Sequence, residues 1–204
     1  MAVGILGLTM ALGFSGCQSE NQKNQDAYRK IGINSMAEGD YDKAVKSFQK
    51  ALDTSLGKIG AEEIDICYYK AAAQFAKKDY DGAIETYTSL IDYDKENANA
   101  YYLRGSVYLD TDKKDKAFKD YKNAVKYAGR EYEIYEGIYE NLTNKGETEE
   151  AKNYLKKALD IKPKDGADYA EQGHVYYLLE DYTQAKSSLD RAIDKDDKTA
   201  LLYL

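Results

Sequence analysis

The sequence predicts an all-α fold built from repeated helix-turn-helix units, and three observations support this prediction. The 204 residues contain a single proline and few runs of β-branched residues, which favours helix over most of the chain. Small and apolar residues recur at helical spacing in short segments that are separated by polar turns. Ala83, Ala117, Ala151 and Ala185 lie 34 residues apart, which indicates an internal repeat of that length.

The segment from Ala100 to Val125 shows the repeating unit most clearly. Tyr101, Gly105 and Tyr108 occupy positions i, i+4 and i+7, so they share one face of a first helix. A polar turn follows, and a second small and apolar face begins at Ala117. A helix pair this short buries too little apolar surface to be stable alone, so the unit requires similar neighbours.

The same pattern occurs five times along the chain. The predicted repeats cover residues 25–58, 64–97, 98–131, 132–165 and 166–199, and residues 200–204 begin a capping helix. The five extra residues between the first two repeats predict a loop or an extended helix end around residues 56–61.

This pattern resembles the tetratricopeptide repeat family. The signature of that family places an aromatic residue, Leu-Gly and Tyr on a helix A, and Ala, Phe, Ala and often Pro on a helix B. The resemblance implies a right-handed α-solenoid of about five repeats, in which small residues let the paired helices approach closely. Lys70, Arg104 and Gln172 replace the helix-A leucine, and we expect their stems to pack while their polar ends reach solvent.

The N-terminal segment predicts a membrane anchor. Residues 1–14 are apolar or small and lead to Ser15, Gly16 and Cys17, a sequence that resembles the lipobox of bacterial lipoproteins. The resemblance implies a signal peptide at residues 1–16, lipidation of Cys17, and a polar tether at residues 17–24. The protein would then be extracytoplasmic and lipid-anchored to the cell membrane. The alternative is a buried N-terminal helix with an ordinary cysteine.

Composition and motifs argue against several classes of protein. The net charge of −7 does not fit a nucleic-acid binder, which would present a basic face. The sequence shows no phosphate-binding loop, nucleophile elbow or metal-ligand spacing, and its one histidine, His174, has no cysteine nearby in sequence. We therefore predict no catalytic residue, cofactor or metal site, and a protein that is not an enzyme. Cys67 is predicted to be a buried structural thiol.

In the family, helix A lines the concave groove and supplies most ligand contacts. Carried over to this chain, the resemblance implies a groove with an aromatic and apolar middle and an acidic fourth repeat. The predicted groove residues are Arg29, Ile33, Asp65, Tyr68, Phe75, Asn99, Tyr102, Ser106, Leu109, Glu136, Glu140 and His174. This set predicts a partner peptide or protein segment with apolar anchors and a basic end. The alternative is that the tyrosines only pack against neighbouring repeats.

Two functions are compatible with these features. The first is a non-enzymatic scaffold or adaptor, a membrane-anchored lipoprotein that binds a partner segment in its groove. The second is a surface lipoprotein that binds a glycan or another solute through the groove tyrosines, since aromatic rings also stack on sugars.

Overall fold

The computed structural model describes residues 20–55, 57 and 59–195, and in these ranges the chain forms ten α-helices and no β-strand. The helices are α1 (Glu20–Ala37), α2 (Tyr41–Thr54), α3 (Ala61–Ala76), α4 (Tyr80–Tyr93), α5 (Ala98–Asp110), α6 (Lys114–Tyr127), α7 (Tyr132–Asn144), α8 (Thr148–Ala158), α9 (Gly166–Leu178) and α10 (Tyr182–Asp194). Odd-numbered helices correspond to helix A of each repeat and even-numbered helices to helix B, so the predicted all-α repeat architecture is confirmed. None of the ten is long and apolar enough to span a lipid bilayer.

The helix boundaries differ from the predicted repeats mainly near the N-terminus. α5, α7 and α9 begin at the first residues of the third, fourth and fifth predicted repeats. α3 begins before the predicted residue 64, because the Glu63 carboxylate accepts a hydrogen bond from the Gly60 N–H at 2.8 Å and caps an earlier turn. Residues 20–24, predicted to be tether, belong to α1. Cys17 and the predicted capping helix lie outside the described residues.

The turn between helices A and B has the same geometry in all five repeats. One residue in each turn has a positive φ, between 56° and 80°: Gly39, Lys78, Asp112, Gly146 and Glu180. The next backbone N–H bonds to the carbonyl five residues earlier, as from Asp40 to Ser35 at 2.8 Å and from Asp181 to Tyr176 at 2.9 Å. This is the Schellman motif, which ends one helix and reverses the chain within a few residues.

Helices A and B approach each other closely where helix A carries glycine. A Cβ atom on Gly32 would lie 2.5 Å from the Phe48 ring, and one on Gly105 would lie 2.8 Å from the Tyr121 ring. Gly173 has the same relation to a leucine of α10. Atoms of different side chains do not pack at such distances, so these positions exclude any larger residue unless the helices separate. The implied close approach of the paired helices is therefore present.

Arg104 differs from the sequence expectation, because its guanidinium is largely enclosed and bonded to side chains of two B helices. Its Nε and Nη2 donate to the two carboxylate oxygens of Asp120 on α6 at 2.7 and 2.8 Å, and its Nη1 donates to Thr88 Oγ1 at 2.9 Å. The two side chains of the ion pair are only 15% and 4% exposed. Gln172, at the equivalent position of the fifth repeat, accepts a hydrogen bond from Ser188 on α10. Polar residues at the helix-A leucine position are thus satisfied by a polar residue on helix B.

Replacing Arg104 with leucine should test this ion pair. The Arg104→Leu variant should lose about 3 kcal/mol of unfolding free energy, because the buried Asp120 carboxylate would remain without a partner. The double variant Arg104→Leu/Asp120→Ala should recover at least half of that loss. Urea denaturation measures the unfolding free energy of both variants. Lys186→Ala is the control, and it should leave stability nearly unchanged because the ion pair of Lys186 with Asp190 is exposed. A single variant as stable as the wild type would show that the pair contributes nothing.

Candidate functional site

The predicted groove residues lie on helices α1, α3, α5, α7 and α9, and we call the surface that these helices share the A-helix face. Hydrogen bonds and ion pairs join consecutive repeats along this face. Each of these contacts involves a predicted groove residue or a residue close to one in sequence. The face therefore exists only when the repeats are stacked.

The first and second repeats are joined by polar side chains of α1 and α3. Arg29 forms an ion pair with Asp65, and its Nε donates to the carboxylate at 2.8 Å. Gln25 donates from its side-chain amide to Glu63 at 2.7 Å. Two of the predicted groove residues therefore pair with each other, and Asp65 remains the more exposed of the two, at 44% against 31% for Arg29.

Tyr68 links the second repeat to the third. Its hydroxyl donates to Asn97 Oδ1 at 2.7 Å, and the same oxygen caps α5 by accepting a hydrogen bond from the Ala100 N–H. The ring is half-buried, with its centroid 6.3 Å from that of Tyr87. Burial raises the pKa of Tyr68, so its hydroxyl stays neutral and acts as a hydrogen-bond donor.

Tyr102 and Ser106 link the third repeat to the fourth. The half-buried Tyr102 ring occupies the space that a Cβ atom on Gly137 of α7 would need. Asn141, also on α7, donates to Ser106 Oγ at 2.8 Å and to the Tyr121 hydroxyl at 3.4 Å. Burial raises the pKa of Tyr121 to about 12. This network and the Tyr102 ring both join the third repeat to the fourth.

A group with mixed charge lies between the fourth and fifth repeats. A carboxylate oxygen of Glu136 on α7 accepts a hydrogen bond from Nδ1 of His174 on α9 at 2.8 Å. Glu171, one turn before His174, brings a carboxylate into the same group, whose potential ligand atoms all lie within 4.8 Å of one another. The hydrogen bond with Glu136 raises the pKa of His174, and burial opposes that shift. Glu140 is exposed beside this group, and its negative charge also raises the pKa of His174.

The remaining predicted groove residues have different environments. The prediction that Leu109 lines the groove is wrong. Leu109 is 2% exposed and belongs to the apolar core of the third to fifth repeats. Ile33 is half-buried against the core that the first and second repeats share, and Phe75 is half-buried against the core that the second and third repeats share. Asn99 is exposed in the first turn of α5. The accessible part of the face is therefore more polar than the sequence suggests.

Sequence reasoning missed Asn141 and Glu171, which complete two of these groups. Neither residue occupies a position at which the family usually contacts ligands. For Glu171 a local signal exists, since a Glu-x-x-His spacing places both side chains on one face of a helix. Asn141 offers no such signal, because its partners Ser106 and Tyr121 lie on other helices.

Cys67 has the character of a structural thiol. It is half-buried and packs against the core that the second and third repeats share. Burial raises the pKa of its thiol, so little thiolate is present at neutral pH and its nucleophilicity is low.

Removing the Tyr102 ring should show how much of this face is structural. Tyr102→Ala should lose about 2 kcal/mol of unfolding free energy, because it leaves a cavity against Gly137. Tyr102→Phe should lose clearly less, since the ring is kept. Tyr177→Ala, at a tyrosine that is 58% exposed, is the matched control and should stay within about 0.5 kcal/mol of the wild type. Thermal or urea unfolding measures all three, and equal stability of Tyr102→Ala and the wild type would contradict the packing role.

Comparison with known proteins gives a consistent family assignment. A family model described as tetratricopeptide repeat matches residues 26–55, 98–130, 140–165 and 169–198, and a model described as TPR repeat matches residues 71–112. Among curated proteins, anaphase-promoting complex subunit 3 of Schizosaccharomyces pombe is 21% identical over 92% of this chain and 33% of its own length. Human tetratricopeptide repeat protein 13 is 27% identical over 70% of this chain and 17% of its own. The chain thus spans a third or less of these relatives.

Solved structures show the same fold at low identity. A thermophilic TPR protein from Thermus thermophilus is 18% identical with a TM-score of 0.53, over 87% of this chain and 99% of that one. MamA from Desulfovibrio magneticus RS-1 is 15% identical with a TM-score of 0.53, over 88% and 97%. PilF of Pseudomonas aeruginosa is 17% identical with a TM-score of 0.53, over 87% and 78%. At these identities the likeness concerns the fold alone.

Proposed function

Since the chain belongs to the tetratricopeptide repeat family, we propose that it is a non-enzymatic adaptor that binds a segment of a partner protein on its A-helix face. Repeat arrays of this kind present extended surfaces, and proteins of the family serve as protein-interaction scaffolds. The partner segment has apolar anchors and a basic end.

The distribution of charge along the A-helix face carries this proposal. α7 contains three carboxylates, α9 adds Glu171, and neither helix contains a lysine or an arginine. The other carboxylate of α9, Asp168, is buried and paired with Arg130. The corresponding helix of the first repeat contains three basic residues and two carboxylates, and that of the second contains three carboxylates and one lysine. A bound segment that is basic at one end would therefore be attracted to the fourth and fifth repeats, and this attraction would fix its direction.

The middle of the face supplies aromatic contact area for the other end of the segment. Tyr68 and Tyr102 are each half-buried, so part of each ring remains accessible while the hydrogen bond of Tyr68 and the packing of Tyr102 hold the rings in place. Rings fixed in this way lose little side-chain entropy on binding. Asn99, exposed in the first turn of the helix that carries Tyr102, interacts with the Tyr68 hydroxyl and would share its amide with the backbone of an extended peptide.

We also propose that the adaptor is an extracytoplasmic lipoprotein. The support comes from residues 1–17, with an apolar stretch followed by Ser15, Gly16 and Cys17, and from the polar residues that follow. Two or three acyl chains on Cys17 would anchor the protein stably. The helix α1 begins soon after Cys17, so the repeats would lie close to the membrane surface.

Site-specific crosslinking tests partner binding directly. A photo-crosslinking residue at Asn99, in the intact protein in its own membranes, should capture one protein. The charge reversal Glu140→Lys should reduce that capture by about tenfold, because it repels the basic end of the segment. The control reversal Glu149→Lys, at an exposed residue of α8, should leave capture unchanged. Equal capture by both variants would contradict the charge argument, and binding of labelled oligosaccharides without any captured protein would favour the glycan-binding alternative.

Membrane attachment is tested at a single residue. Cys17→Ala should move the protein from the membrane fraction to the soluble fraction, because no acyl chain can be added. Mass spectrometry of the wild-type N-terminus should show a lipid-modified Cys17 as the first residue. A Cys17→Ala protein that stays bound to membranes would overturn the lipoprotein assignment without affecting the crosslinking result.

A further inference from the structure

Three side chains that can bind a metal ion meet between α7 and α9. Glu136 comes from α7, and Glu171 and His174 come from α9. Their ligand atoms all lie within 4.8 Å of one another, and His174 Nδ1 is 2.8 Å from a carboxylate oxygen of Glu136. The side chains of Glu136 and His174 are 18% and 28% exposed, so the group is sheltered but open to ions from solvent.

The fold creates this group by two separate steps. The spacing i, i+3 places Glu171 and His174 on one face of α9. Stacking of the fourth and fifth repeats then brings that face against Glu136 on α7. A Glu-x-x-His pair on one helix with a glutamate from a neighbouring helix is also how carboxylate-rich metal sites are built in helical bundles.

The chemistry of the group suits a cation. Two carboxylates and an imidazole are ligand types that first-row transition-metal ions accept, and α7 and α9 themselves contain no lysine or arginine. In a tetrahedral zinc site with bonds of about 2.1 Å, neighbouring ligand atoms lie about 3.4 Å apart. Small side-chain rotations would bring atoms now within 4.8 Å to that spacing, with the ion replacing the hydrogen that Glu136 and His174 share.

We propose that Glu136, Glu171 and His174 form a binding site for a divalent transition-metal ion, with Zn²⁺ as the best fit, that joins the fourth repeat to the fifth. The imidazole nitrogen favours Zn²⁺ and similar first-row ions over Mg²⁺ and Ca²⁺, which take oxygen ligands. Water or the carboxylate of Glu140, one turn further along α7, would complete the coordination. The ion would also reduce the negative charge at this end of the A-helix face. The site does not depend on the proposed partner.

Metal titration of the full chain, stripped of metal by a chelator, tests this site. Calorimetry with ZnCl₂ should show one equivalent bound, and Zn²⁺ should raise the thermal unfolding temperature. His174→Gln and Glu171→Gln should each weaken Zn²⁺ binding by more than about tenfold, because each removes one ligand. Glu85→Gln makes the same charge change as Glu171→Gln at an exposed residue of α4, and it should bind Zn²⁺ like the wild type. Circular dichroism confirms that each variant is folded.

Several outcomes would overturn the assignment. The first is a wild-type protein that binds no Zn²⁺. The second is equal weakening by Glu85→Gln and Glu171→Gln, which would indicate general attraction to a negatively charged surface. The third is equal stabilisation by Zn²⁺, Mg²⁺ and Ca²⁺, which would show that His174 is not a ligand. None of these results bears on partner capture at Asn99, so the two proposals fail separately.

Discussion

The close approach of helices A and B at glycine is the constraint on which the rest of this structure depends. At Gly32 and Gly105 the facing aromatic ring occupies the space of an absent side chain. This contact sets the distance between the two helices, and the Schellman turn sets their connection. With both fixed, these repeats present their helix A toward the next repeat, and side-chain hydrogen bonds join consecutive repeats along the face.

Under the proposed function, packing between repeats and partner binding would use the same side chains of the A-helix face. Tyr68 and Tyr102 hold neighbouring repeats together, and they also present the aromatic area that a partner would contact. A partner can therefore use only the part of each ring that stacking leaves accessible. These rings are also rigid. Because the side chains are already held in place, binding a partner would cost little side-chain entropy. Stability and recognition should thus respond together to changes at these tyrosines.

Two ion pairs show how burial decides the role of a charged group. Arg104 and Asp120 are almost completely buried and satisfy each other through two hydrogen bonds, so they serve the stack and are closed to ligands. Glu136 and His174 are more exposed and have a second carboxylate beside them. In the proposed metal site, an ion would replace the hydrogen bond between them.

The sequence by itself determined the helix pairs, the 34-residue repeat and the starting residues of α5, α7 and α9, because periodicity and turn residues act within a few residues of chain. Only the tertiary structure decided that Leu109 is core, that Arg104 is closed off by Asp120, and that Glu171 joins Glu136 and His174. These facts depend on the rotation of each helix about its axis and on which face of the next repeat it meets. That rotation is fixed by packing between repeats, and no spacing within a single helix encodes it.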